Sequence, residues 1–149
     1  MVTTDEQASI FFHQEEYLAE LVFSLVLEHP NKILQIEASH VIANAISSCH
    51  LKTLLHLWVG NFGDRILKFI FACSKHPTKE ERLHLSLLQS IDLLAQLEHF
   101  NDEGKFVNFL RVFEENGGVD YLEYAQLNGG NEVYTIASEI MKNYFANGN

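Results

Sequence analysis

The sequence predicts an all-α chain, built as an α-solenoid of about three helical repeats, and three observations predict it. Apolar residues recur at three- and four-residue spacing almost throughout, as in "YLAELVFSLVL" (17–27) and "LHLSLLQSIDLLAQL" (83–97), with no alternating run of the kind a half-buried strand shows. Short polar breaks cut the chain into about eight or nine segments of helical length. Two of the breaks repeat: His29-Pro30 and His76-Pro77 lie 47 positions apart, each after an apolar helix and before a lysine. Periods in the forties belong to repeats of two or three helices, in which each unit has too little core to fold alone and buries its faces against its neighbours.

The segments follow in order. The first apolar stretch runs to Leu27 and stops at "EHPNK" (28–32), where proline ends one helix and is tolerated in the first turn of the next. A second helix leads to "SSCH" (47–50) and a third, "LKTLLHLWV", to "GNFGD" (60–64). The fourth ends at "KHPTK" (75–79), and the fifth is a long leucine-rich helix reaching "FNDEGK" (100–105). Three shorter helices are divided by "ENGG" (115–118) and "NGGN" (128–131). Taking Asn44 as reference, Asp92 lies 48 positions on and Ile140 another 48. One domain over 1–149 is expected, with repeats at approximately 5–49, 50–99 and 100–146.

Composition narrows the partners. A hydrophobic fraction of 47% with only two prolines excludes a disordered chain, and no apolar run is long enough for a membrane span. A formal charge of −10 with scattered lysines and arginines makes nucleic acid a poor partner and a basic ligand a better one. Cys49 and Cys73 form no Cys-x-x-Cys motif, so two reduced, buried thiols in a cytosolic or nuclear compartment are expected, a disulfide between them being the alternative.

Two stretches carry a resemblance. "QASIFFHQEEYLAELVFSLVLEHPNKILQIEASHVIANAISS" resembles a late armadillo repeat of the importin-α family, and "GGVDYLEYAQLNGGNEVYTIASEIMKNYF" (117–145) resembles that family's closing repeat. The likeness spans about residues 5–146 and implies three armadillo repeats of the C-terminal region. In that family the third helix of a repeat lines a concave groove with a Glu-x-x-Trp-x-x-x-Asn pattern. The asparagine holds the backbone of an extended nuclear-localisation peptide, tryptophans flank lysine and arginine stems, and the acid meets their charged tips. Glu37, His40 and Asn44 occupy those positions, with Asp92 in the asparagine position of the second unit. The departure is His40 for tryptophan, which leaves less area and a weaker π-face for a lysine stem. The resemblance also implies a surface for the exportin that recycles the adaptor with Ran-GTP, and a cytoplasmic and nuclear location. The basic N-terminal segment of the family has no counterpart, so a part of an adaptor is expected, and its uncovered first repeat would expose an apolar face able to drive self-association.

Plainer readings stand beside these. Asn44 either meets a peptide or bridges neighbouring helices; His40 reads first as a partly buried histidine with a backbone partner; Asp92 either contacts a basic ligand or is a solvated helix residue. Trp58, and Tyr134, Tyr144 and Phe145 near the end, read as core. A divergent armadillo scaffold unrelated to transport is the second reading of function. The third takes the Glu-x-x-His pairs Glu37/His40 and Glu81/His84 as half of a ferritin-like di-iron centre, for which the sequence between 41 and 79 offers as further carboxylate only Asp64, expected in a turn beside Gly63. No phosphate loop, nucleophile elbow or HExxH motif is present, so no enzyme and no cofactor is expected.

Overall fold

In a computed structural model, described for residues 4–100 and 108–145, the chain is all-helical, and the described residues form nine helices without a strand. Helix α1 (Asp5–Ser9) continues into a π-helical turn (Ile10–Gln14), in which the Glu15 N–H reaches back five residues to the Ile10 carbonyl at 2.9 Å. Then follow α2 (Glu16–Glu28), α3 (Lys32–Ser47), α4 (Leu51–Val59), α5 (Gly63–Lys75), α6 (Glu81–Phe100), α7 (Phe109–Glu115), α8 (Gly118–Asn128) and α9 (Asn131–Ile140). The last runs on as a second π-helical turn, Met141–Phe145.

The breaks read from Gly, Pro and Asn fall where the helices end. Asn31 caps α3, its Oδ1 accepting from the N–H groups of Ile33 (2.9 Å) and Leu34 (3.2 Å), and the Gln35 side chain closes the turn onto the His29 carbonyl. Pro30 therefore precedes the cap instead of entering the first turn. At the second His-Pro, Lys79 does not open the next helix: α6 starts at Glu81, because Thr78 Oγ1 takes the Glu80 N–H and holds that residue in the turn. Before α8 the chain turns through Gly117 at φ 85°, a left-handed conformation that costs glycine little. One break carries no such signal. Glu15, at φ −110° and ψ 42°, separates α2 from the π-helical turn inside a run that reads as continuously helical. The break expected at 100–105 and the end of the third repeat at 146 lie in part outside the described residues.

Helix packing follows a regular order. Helix α3 packs on α6 and α6 on α9; α2 packs on α5 and α5 on α8; α2 and α3 form a hairpin, as do α8 and α9. Side-chain bridges tie these neighbours at similar separations: Asp5 to His50 N (2.7 Å), Glu16 to Asn61 (3.1 Å), Glu20 to Arg65 (3.1 Å), Ala43 O to Ser90 (3.2 Å) and Glu81 to Gly130 N (2.9 Å). The core between the helices is aromatic at both ends. Phe12, Phe23, Phe62 and Phe69 meet with centroids 5.3–6.5 Å apart, joining the first π-helical turn, α2 and the start of α5. Phe109 sits between Trp58 and Phe113, and Phe113 meets Phe145 at 6.0 Å.

Trp58, Tyr144 and Phe145 thus pack on the core, whereas Tyr134 does not: it is 54% exposed, since α9 turns Val133, Ala137 and Ile140 inward and Tyr134 stands a residue out of that phase. Both cysteines are free thiols, and burial pushes each up to about 12, so neither is a thiolate at neutral pH.

Phe23 touches three other rings and is 1% exposed, so Phe23→Ala is expected to cost ~3–5 kcal/mol of stability, read as a loss of midpoint in thermal or urea unfolding followed by circular dichroism.

Candidate functional site

Helix α3 begins beside the exposed turn at Pro30 and ends against α4, and its spacing decides what it shows to solvent. Ala38, Ser39, Ile42, Ala43, Ala45 and Ile46 are buried, while Glu37, His40 and Asn44, at i, i+3 and i+7, form an adjoining stripe. That stripe is the floor of a groove of about 760 Å³. One wall carries Gln7 and Phe11 of the first helical stretch; the other carries Arg82, Leu85, Ser86 and Gln89 of α6, with Glu80 just before it. Glu37, His40 and Asn44 are therefore brought together as their spacing predicts. Asp92 is not among them; it lines a smaller depression of about 350 Å³ with Ser47, Ile136 and Glu139, and Gln89 borders both.

Asn44 bridges neighbouring helices. Its side-chain oxygen accepts the Ser86 hydroxyl at 2.8 Å and so joins α3 to α6, while the amide NH₂ keeps no protein partner among the described residues. A half-buried amide fixed at one atom presents two donors in a set direction. His40, half-buried beside it, has no hydrogen-bond partner among the described residues, so the expected backbone partner is absent. Glu37 is exposed and unpaired among the described residues.

Serines the sequence reading passed over hold this site. Ser90, fully buried, donates to the Ser86 carbonyl at 2.8 Å and lies 3.2 Å from the Ala43 carbonyl, and Ser86 supports Asn44. Their signal was present in "LHLSLLQSIDLL", where two serines four apart interrupt a leucine-rich helix on one face. Arg82 was missed as well, and it matters electrostatically. Glu37 and Glu80 bring negative charge to the groove and Arg82 returns a positive one, so the groove is mixed and not purely acidic.

In the smaller depression, burial raises the Asp92 carboxyl above the ordinary carboxylate range, a hydrogen bond from Gln96 (2.8 Å) works against this, and the Glu139 charge adds to it.

Residues named in the di-iron alternative are engaged elsewhere, and Asp64 lies in the first helical turn of α5, paired with Lys68 at 3.0 Å, and not in a loop. The Glu81 carboxylate accepts the Gly130 N–H at the start of α9, at 2.9 and 3.1 Å, and an added Cβ at Gly130 would collide with it. His84 is buried with both ring nitrogens engaged. The Thr78 carbonyl can only accept, so Nε2 carries a proton, and Nδ1 lies 2.7 Å from the Tyr121 hydroxyl, which donates to it in the neutral imidazole. No group of three or more potential ligands is found among the described residues. Compared with known proteins, the chain matches no family model, no curated protein and no solved structure.

Because a raised carboxyl pKa favours the protonated form in the folded state, Asp92 opposes folding once it ionises, and stability is lost as pH rises through its folded pKa. Asp92→Asn, which keeps an acceptor for Gln96, is therefore expected to raise the melting temperature at pH 7 and to leave it unchanged below the carboxylate range. A melting-temperature series against pH checks this. Ser90→Ala is expected to cost ~1 kcal/mol in the same assay.

Proposed function

We propose that the chain is a three-unit, armadillo-like α-solenoid that binds protein, and that the groove over α3 takes an extended peptide with basic side chains, in the manner of the C-terminal region of an importin-α-type nuclear adaptor. The observation that carries this reading is the Asn44 amide. Fixed by Ser86 and open to the groove, it is set to donate to a peptide carbonyl, with Glu37 two turns away to meet a lysine or arginine tip. The solenoid is supported by the packing order α3, α6, α9 and α2, α5, α8, and by bridges joining residues 42 to 49 positions apart. With Asp92 one step further along, a peptide lying across α3 and α6 would meet a second acid.

Arg82 favours a second reading, a scaffold unrelated to transport. A cation in the wall opposes a run of lysines and suits a segment that alternates basic and acidic residues. His40 where the family pattern has tryptophan points the same way, since it supplies little stacking surface for a lysine stem.

Fluorescence anisotropy with a lysine-rich nuclear-localisation peptide separates the two. On the first reading binding weakens with salt, Asn44→Ala lowers affinity roughly three- to tenfold through one lost hydrogen bond, Glu37→Ala lowers it less, and Arg82→Ala raises it. On the second, the lysine-rich peptide fails to bind in the micromolar range and Arg82→Ala weakens a mixed-charge peptide instead. Loss of neither peptide's binding in Asn44→Ala would overturn the role given to that amide.

A further inference from the structure

Three large apolar side chains line the groove over α3, each from a different element. Phe11 comes from the first π-helical turn, Val41 from the floor and Leu85 from the α6 wall. Phe11 and Leu85 are partly buried and packed on the core, and the Phe11 ring also stands edge-on to the fully buried Phe12 at 5.1 Å, so only their outer faces reach the groove. Val41 is 41% exposed. A peptide held only by its backbone and its basic tips leaves all three in water.

We propose that the groove selects a peptide with a large apolar side chain, of leucine or phenylalanine type, which seats between Phe11, Val41 and Leu85, two residues from the lysine or arginine that meets Glu37. This rests on the peptide reading above and names the sequence it takes. The floor sets the spacing. Glu37 and Val41 are one helical turn apart, a rise of about 6 Å along α3, and an extended chain repeats its side chains on one face every ~6.6 Å. A basic residue over Glu37 therefore brings the residue two positions away over Val41, and Asn44, a further turn along, meets the backbone beyond it. Charge argues for one cation with an apolar neighbour over a run of lysines. Glu37 and Glu80 stand against the single cation Arg82, so one basic residue finds an acid, while further lysines are set against the guanidinium. An apolar side chain meets no such repulsion and takes Phe11, Val41 and Leu85 out of water. The space admits it. A cavity of about 760 Å³ falls within the roughly 300–1,000 Å³ of ligand sites in which apolar walls supply contact and a few polar groups set orientation.

Anisotropy titrations of the full-length chain with fluorescein-labelled Gly-Ser peptides, carrying Lys-Ser-Leu, Lys-Ser-Ala or Lys-Ser-Lys at their centre, test this. Lys-Ser-Leu is expected to bind roughly tenfold tighter than Lys-Ser-Ala, the effect of partly burying the extra carbons of leucine, and tighter than Lys-Ser-Lys. Val41→Ser, at an exposed position where folding is not at stake, is expected to cut that preference to about threefold or less without changing the affinity for Lys-Ser-Ala, whereas Leu127→Ser on α8 leaves the preference intact. Equal binding of the leucine and alanine peptides, tightest binding of Lys-Ser-Lys, or a leucine preference that survives Val41→Ser would each overturn the apolar slot and leave the peptide groove standing. Failure of all three peptides to bind at up to roughly 1 mM protein would overturn both.

Discussion

The close seam between α3 and α6 is the constraint on which the rest of the molecule depends. At this seam Ala43 and Asn44 of α3 meet Ser90 and Ser86 of α6, and the Ser86 and Ser90 hydroxyls spend themselves on α3 and on their own helix. Helix α6 carries nine buried residues and touches α3, α4, α7 and α9. Both depressions are cut along it. A bulky residue at Ala43 would force the helices apart and would separate Asn44 from the hydroxyl that orients it.

The negative charge of the chain is partly structural. Asp5 accepts the His50 N–H at the start of α4, Glu98 the Leu110 N–H at the start of α7, and Glu81 the Gly130 N–H at the start of α9. Each is a carboxylate from a distant helix placed on orphan donors at a helix N-terminus, where the backbone dipole also favours it. The His50 N–H holds the Asp5 carboxyl below the usual carboxylate range. Acids so engaged do not add to a surface for a basic partner, which a net charge of −10 taken alone would suggest.

What the sequence made legible depended on how local the cause was. Asn31, Pro30, Gly117 and Gly129 mark their turns through their own backbone preferences, and the breaks they imply are found. The shared face of Glu37, His40 and Asn44 follows from helical spacing alone. Spacing within one helix says nothing of the phase of the next, so it does not reveal Ser86 and Arg82, which complete the groove from α6, and residue type alone predicts Tyr134 as core where the phase of α9 turns it outward. The Glu15 break has no composition signal at all, because it comes from a five-residue hydrogen-bond step and not from a residue that refuses to be helical.

That π-helical turn acts as a phase adjuster. A turn holding one extra residue advances everything after it by about 100° relative to an unbroken α-helix. Ala8 and Phe12, four residues apart, both point into the core before the chain reverses at Glu15 into α2. Deleting one residue between Ile10 and Gln14 would restore a regular helix and rotate the α1 end away, withdrawing Asp5 from His50 and Gln7 and Phe11 from the groove wall. The width of the groove on that side is therefore set by chain length in a five-residue segment, and insertions or deletions there would retune it without altering a single residue of its floor.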